Sequence, residues 1–512
     1  MPASTLSRQS HARFSTPLTL ALAALLAGCA VGPDFTPPPA PDAPTYGAQT
    51  PPCVTADGAQ ILQPGADIPA AWWDLFRSPA LTRLVTQAVK NNPDLQAADA
   101  ALRVAQDDLS AGDGALFPTV SASYAGQREK TSGAANNNLF PGFIYSLHNA
   151  SVSVSYGVDI FGGTRRAIEE LQAQTDYAQF EQRAAWLSLT GNVVTTAIDE
   201  ASLRDQIAAT TASIADQEKV LNLLQKRFAA GAVAQSAVAQ QQATLAASQA
   251  ALPPLQHQLA VARHALATLA GRLPSQGAGE SFTLADLHLP RQIPLSLPSQ
   301  LVAQRPDIRA AQENLHAASA AIGVAVAARL PDVTLTADIG TMATQFGKLF
   351  TPGSGLWDWG GSVSETIFDA GTLADKEQGA RDAYIEAAAQ YRKTVLAAYQ
   401  DVADTLHALQ SDAELLKDRA AAERAAATSL TLAKVQFTAG AIAASDLMTA
   451  EATENTARAD LVAAQAQRYA DTAALFVALG GGWWHDAAHA ATGTIASNTP
   501  QTDESTKGPD HD

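Results

Sequence analysis

The sequence predicts an α+β membrane protein made of two copies of one unit, in which short strands contribute to a β-barrel and long helices continue it. Three observations carry this prediction. An export signal ends at a cysteine, and no later run of 18 apolar residues follows that could cross a bilayer as a helix. Residues 91–124 and 304–337 align without a gap, pairing Pro93-Asp94 with Pro306-Asp307, Leu102 with Leu315, Pro118 with Pro331 and Val120 with Val333. Each copy then passes from alternating segments into a long helix-period stretch.

Composition limits the function classes. Of 512 residues, 47% are apolar but only 6% aromatic, and alanine, glutamine and leucine dominate, which favours long packed helices over a mixed globule. The excess of 50 acidic over 33 basic residues, a net −17, argues against nucleic acid as a partner.

In chain order, Arg8 and Arg13 precede an apolar run from Pro17 to Ala27 that is too short for a permanent span. Leu26-Ala27-Gly28-Cys29 resembles a bacterial lipobox, so residues 1–28 read as a lipoprotein signal and Cys29 as the lipidation site. Ala30 and Val31 follow with no aspartate, which by that resemblance directs the protein to the outer membrane. Cys53 is then the one remaining cysteine, so neither an intramolecular disulfide nor a cysteine metal site is available. Residues 29–70 read as an acylated N-terminus and a tether, because 32–52 hold eight prolines. The aromatic block Trp72-Trp73-Asp74-Leu75-Phe76 is expected to pack the tether's end onto the first helix, which Ser78-Pro79 opens in cap order.

The first repeat covers 71–272 and the second 301–484, joined by a proline-rich connector over 273–300. Alternation predicts strands at about 117–125 and 150–161, and again at about 331–340 and 357–368, with loops at 126–148 and 341–356. Four strands cannot close a barrel, and hydrocarbon does not tolerate open edges, so several chains must contribute to one barrel. Helices of 67 and 68 residues are expected from Thr164 to Ala230 and from Thr372 to Ala439, roughly 100 Å each at 1.5 Å per residue. The first return helix, Ser236–Gly271, is expected to kink at Pro253-Pro254, and a further helix is expected over about 307–328.

Hairpin tips are expected at 228–236 and 437–445, where Phe228/Phe437, Gly231/Gly440 and Ser236/Ser445 correspond. The glycine closes one helix and the serine opens the next. After Trp484 the pattern ends, and 485–512 read as a disordered tail.

No catalytic constellation emerges. His485 and His489 lie four apart but lack a third ligand, three methionines are too few for a soft-metal relay, and no Walker-type phosphate loop is present.

The passages Leu26 to Phe35, the WWDLF block, NNPDL at 91–95, DIFGGTRR at 159–166, RPDIRAAQENL at 305–315, both glycine tips and ALGGGW at 478–483 together resemble the outer-membrane efflux protein family. They are most similar to the lipid-anchored outer-membrane factors of tripartite RND-type pumps, over roughly residues 26–484. The resemblance implies a homotrimer whose protomers each give four strands to a twelve-stranded barrel, with paired helices forming a periplasmic tunnel. It implies a passive exit duct for small toxic compounds or drugs, partnered by a periplasmic adaptor and an inner-membrane pump. Its only covalent group would be the diacylglycerol and N-acyl lipid on Cys29. Asp446 is implied as an entrance-gate carboxylate, although the matching position in the first repeat is Ala237. Arg227, Phe228, Gly231, Val233, Phe437, Gly440 and Ile442 are the implied adaptor contacts. A protein-secretion duct of type I, or a non-conducting coiled-coil lipoprotein scaffold, are the alternatives.

Overall fold

A computed structural model describes residues 30–47, 52–132 and 142–485. Cys29, His489 and most of the expected tail lie outside these residues. Internal contacts divide the chain into two units, one of Met1–Ala40, Asp94–Ala185 and Pro306–Ala397, the other of Pro41–Pro93, Trp186–Arg305 and Ala398–Asp512.

The first unit holds a four-stranded antiparallel sheet. Its strands are β2 (Thr119–Lys130), β3 (Ile144–Val158), β5 (Asp332–Ala343) and β6 (Gly355–Ser364), in the order β2-β3-β5-β6. The register pairs Val120 with Val154, Val152 with Ile339, Ala337 with Trp359 and Val333 with Val363. Directly paired residues share a face, so Val120, Tyr124, Val152, Leu335, Ile339, Trp357, Trp359 and Val363 form one apolar face. Trp357 and Trp359 on it are 72% and 77% exposed, which no water-facing sheet would favour. The opposite face pairs Ser121 with Ser153, Ser153 with Asp338 and Asp338 with Asp358.

All four strands reach into the expected loops, and β6 stops at Ser364, short of Ile367 and Phe368. The alternation in the sequence reports the apolar face. The backbone ladder continues beyond it through pairs such as Gly126 with His148 and Arg128 with Ser146.

The same unit holds α2 (Pro93–Asp113), α6 (Pro306–Ala327) and the first parts of α3 (Gly163–Ala229) and α7 (Thr372–Thr438). Asp159 accepts from the Thr164 and Arg165 backbone N–H groups (both 3.1 Å), and Asp369 accepts from Gly371 (2.9 Å) and Leu373 (2.7 Å). Each long helix therefore starts on an aspartate that satisfies its free donors.

The chain after residue 29 is no free tether. Val31 donates to the Phe161 carbonyl (2.9 Å), and the guanidinium of Arg166 holds the Val31 carbonyl (3.1 Å) and Asp34 (2.7 Å). Phe35 stacks on His316 at 4.4 Å. Gly32 (φ +95°) lies so close to Gly323 that an added Cβ would come within 2.4 Å of its Cα. Proline-rich composition reports extended backbone, and extended backbone can dock as readily as it can hang free.

The second unit repeats that lesson. It contains β1 (Ile61–Pro64), from the same expected tether, in parallel pairing with β4 (Gln292–Leu295) of the expected irregular connector. It also holds α1 (Pro79–Asn91), α4 (Gln235–Leu269), α5 (Pro298–Gln304), α8 (Ala444–Ala478) and the remainders of α3 and α7. Pro253 and Pro254 sit inside α4, which continues through them. Trp72, Trp73 and Phe76 are buried in a short 3-10 turn that touches the first helix as expected, and their aromatic partners lie further along the chain. Trp72 meets Phe476 at 5.6 Å, Trp73 meets Trp186 at 5.8 Å and Phe76 meets Tyr469 at 6.2 Å, centroid to centroid. Burying three large rings makes this block the centre of the unit's core. Ser78 accepts from Leu81 as the expected cap of α1.

A polar network lies in the same unit. Arg468, 1% exposed, donates to the Leu409 carbonyl (2.8 Å), Thr55 (3.1 Å) and Asp57 (3.2 Å). Burial, reinforced by the neighbouring carboxylate of Asp471, pushes the Asp412 carboxyl up to about 7. Between its unfolded value near ~3.9 and that raised value, the folded chain holds a proton that the unfolded chain has released. This group's contribution is therefore most favourable at low pH and is lost as pH rises through that window. The melting temperature of wild type should drop by several degrees more than that of Asp412→Asn between pH ~4 and ~7. Parallel melting profiles for the two proteins would contradict the assignment.

Candidate functional site at the paired hairpin tips

The ends of α3 and α7 close alike. Gly231 (φ +72°) and Gly440 (φ +75°) take the left-handed conformation that terminates each helix. Ala232 donates to the Arg227 carbonyl and Ala441 to the Gln436 carbonyl (both 2.8 Å). Gly231 donates to Phe228 (2.9 Å) and Gly440 to Phe437 (3.0 Å). These two bonds per end define the Schellman motif, which satisfies the last free carbonyls. Nothing lies within 4 Å of a Cβ built on either glycine, so it is the backbone angle that requires the residue, not space.

The expected serine caps are not the caps. α4 starts after Ala234 and α8 after Ala443, both extended, so Ser236 and Ser445 lie inside the first turns. In α8 the third residue, Asp446, accepts from the Ala443 N–H at 3.2 Å and supplies the missing acceptor from within the helix. An exposed acid in a helix's first turn is also favoured by the helix dipole. The first tip has Ala237 there and no such bond.

The two tips interlock. Val220, Leu224, Ala433, Phe437, Leu447 and Met448 form one buried cluster, with Val233, Ala237 and Ile442 packed at its edge. Arg227 donates to the carbonyls of Phe437 and Thr438 (both 3.0 Å) and lies over the Phe437 ring at 4.4 Å. Lys434 and Lys219 both reach Asp216 (2.9 and 3.0 Å) and hold its carboxyl below the usual range.

These positions divide the expected adaptor contacts. Phe228, Gly231 and Gly440 are exposed, and Arg227, Val233 and Ile442 are half-buried. Phe437 is 3% exposed and must be removed from the set, since its ring is spent on packing the tips together. Its correspondence to exposed Phe228 masked this difference. The Arg227 clamp escaped the sequence reading because its acceptors are backbone carbonyls 210 and 211 positions away.

An apolar sheet face carried on long helices that end in paired turns is the build of an outer-membrane channel subunit. The chain belongs to the outer membrane efflux protein family, whose model matches residues 84–272 and 297–481. It is similar to the pyoverdine export outer membrane protein OpmQ of Pseudomonas putida, at 31% identity over 463 residues, covering 88% of this chain and 94% of that one. The probable outer membrane lipoprotein SilC of Salmonella typhimurium is 26% identical over 475 residues, covering 91% and 98%. The solved outer-membrane channel OprN superposes with a TM-score of 0.80 at 26% identity, covering 89% of this chain and all of that one. The protein is thus an outer-membrane component of efflux.

Arg227→Ala should release the end of α7 and cost about 1–3 kcal/mol locally, the scale of hydrogen bonds to a charged donor. Amide exchange over residues 436–446 should speed up by a corresponding factor while the Trp72 region stays unchanged. Unaltered exchange at the tip would show that the clamp is dispensable.

Proposed function

We propose that the chain is the passive outer-membrane exit duct of a tripartite efflux system, working as a homotrimer. The observation that carries this reading is the four-stranded sheet with one exposed apolar face and two open edges. Three copies, each giving four strands, would form a twelve-stranded barrel with the apolar face toward lipid and the Ser/Thr/Asp face toward the lumen. The equal lengths of α3 and α7 (67 residues each) and of α4 and α8 (35 each) support an internal duplication that builds a helical tunnel.

In this reading the diacylglycerol and N-acyl lipid on Cys29 anchor the chain. The docked segment from Val31 to Phe35 would then hold that lipid close to the sheet-bearing unit. The tips meet a periplasmic adaptor through Phe228, Gly231, Gly440 and the half-buried Arg227, Val233 and Ile442. An inner-membrane pump of the RND type supplies the energy, and small toxic compounds or drugs are the cargo. Three copies of Asp446 ring the tunnel entrance, where their charge attracts cations and narrows the closed mouth. The duct itself carries out no chemistry.

Planar-bilayer recording of the detergent-extracted protein, with its subunit mass taken alongside, tests this. Discrete cation-favouring steps from a trimer are expected, and Asp446→Ala should raise conductance and abolish block by added divalent cations. A monomer without conductance would overturn the duct. A conducting trimer indifferent to Asp446→Ala would overturn the gate alone.

A further inference from the structure

We propose that each protomer carries a divalent-cation site between α3, α7 and α8, where Glu451 holds a hydrated ion of the alkaline-earth class. Glu451 is 3% exposed, and neither of its carboxylate oxygens has a well-formed hydrogen bond. It lines a cavity of about 260 Å³ within the second unit, together with Asp216, Gln217, Lys434 and Glu454. A buried carboxylate without donors is costly, and native proteins rarely leave one uncompensated.

The surroundings deepen the deficit. The side-chain oxygens of Gln217 and Gln241, 1% and 0% exposed, also lack donors. The Gln241 amide lies beside Glu451 and favours its charged form, yet its NH₂ is directed at the Gln217 backbone carbonyl, 3.4 Å away. Lys434 is the nearest cation, and its ammonium is bonded to Asp216. Arg458 at the cavity rim is exposed and makes no ion pair with Glu451.

The carboxylate of Glu451 and the amide of Gln217, both on the cavity wall, have buried oxygens without well-formed donors, and burial raises the Glu451 carboxyl, so bound positive charge is what would keep it ionised. The donor set on the cavity wall is the Glu451 carboxylate and the Gln217 amide oxygen, hard ligands that suit magnesium or calcium rather than a soft metal. Among the described residues no group of three His, Cys, Asp or Glu side chains is gathered tightly enough to chelate a bare ion. The ion therefore keeps part of its water shell, and the cavity has room for it, being several times the ~30 Å³ share of one water. Glu451 is separate from the exposed Asp446 in the first turn of α8, so this site does not depend on the gate. Its occupancy would brace α8 against α3 and α7 just above the interlocked tips.

The test is calorimetric titration of the full-length protein in detergent with magnesium and with calcium, accompanied by thermal melting. Wild type and Asp446→Ala should both take up one ion per chain at this site and melt at higher temperature with it. Glu451→Gln should lose that binding and the melting response. Should Glu451→Gln not fold, Gln217→Leu keeps the test open, and it should weaken binding roughly tenfold, as loss of a supporting ligand does. Absence of ion binding in wild type, or equal binding in Glu451→Gln, would overturn the site. A response to spermidine but to neither metal would overturn its assignment to an inorganic ion.

Discussion

The constraint on which the molecule turns is the hydrogen-bonding demand of two strand edges. Along one side of β2 and one side of β6, the sheet offers no neighbour among the described residues to the backbone N–H and C=O groups. In water that would be tolerable. With Trp357, Trp359 and Val363 exposed on the same sheet, the proposed surroundings are hydrocarbon, where each unmet group would cost several kcal/mol. The proposed trimer meets the demand by joining β6 of one copy to β2 of the next, and it leaves the polar face around Ser153 and Asp338 as an aqueous lining. Oligomer and membrane insertion are then one requirement rather than two.

The opposite demand governs the helical hairpins. Each long helix must end without leaving carbonyls unpaired, and both do so by the same glycine turn. What differs between the tips is how they are held. Phe437 turns inward, and Arg227 crosses from one hairpin to grip the last carbonyls of the other. The tips are joined at their cores while Phe228, Gly231, Gly440 and Asp446 stay exposed. In the proposed duct, an entrance that both recruits a partner and opens would be served by such a division, with close packing within the pair and free surface outside it.

Much of this was legible in the sequence because it rests on periodicity. Alternating residues located the four strands of the sheet, and the paired glycines located both tips. Three things were not legible, each for a physical reason. The β1–β4 pairing involves four residues on each side, too few for a period to register, and one strand comes from a segment whose prolines pointed to a tether. Both helices start one residue before the serines, after Ala234 and Ala443, and only at the second tip does a side chain, Asp446, bond back to the cap residue's N–H. The burial of Phe437 and of Glu451 depends on which helices face each other, and internal similarity between repeats hides that asymmetry. The Trp72-Trp73-Phe76 block was recognisable as core, but its partners, Phe476, Trp186 and Tyr469, lie more than a hundred residues away.

The edge-strand argument is open to direct chemical test. In a Cys53→Ser background, cysteines placed singly along β2 and along β6 in one chain would be oxidised in outer-membrane preparations and the products sized under denaturing conditions. The account predicts that at least one β2–β6 combination yields covalent trimers, closed through three equivalent links. Cross-linking that stops at dimers, or the absence of β2–β6 linkage at every register, would contradict a barrel shared among three chains.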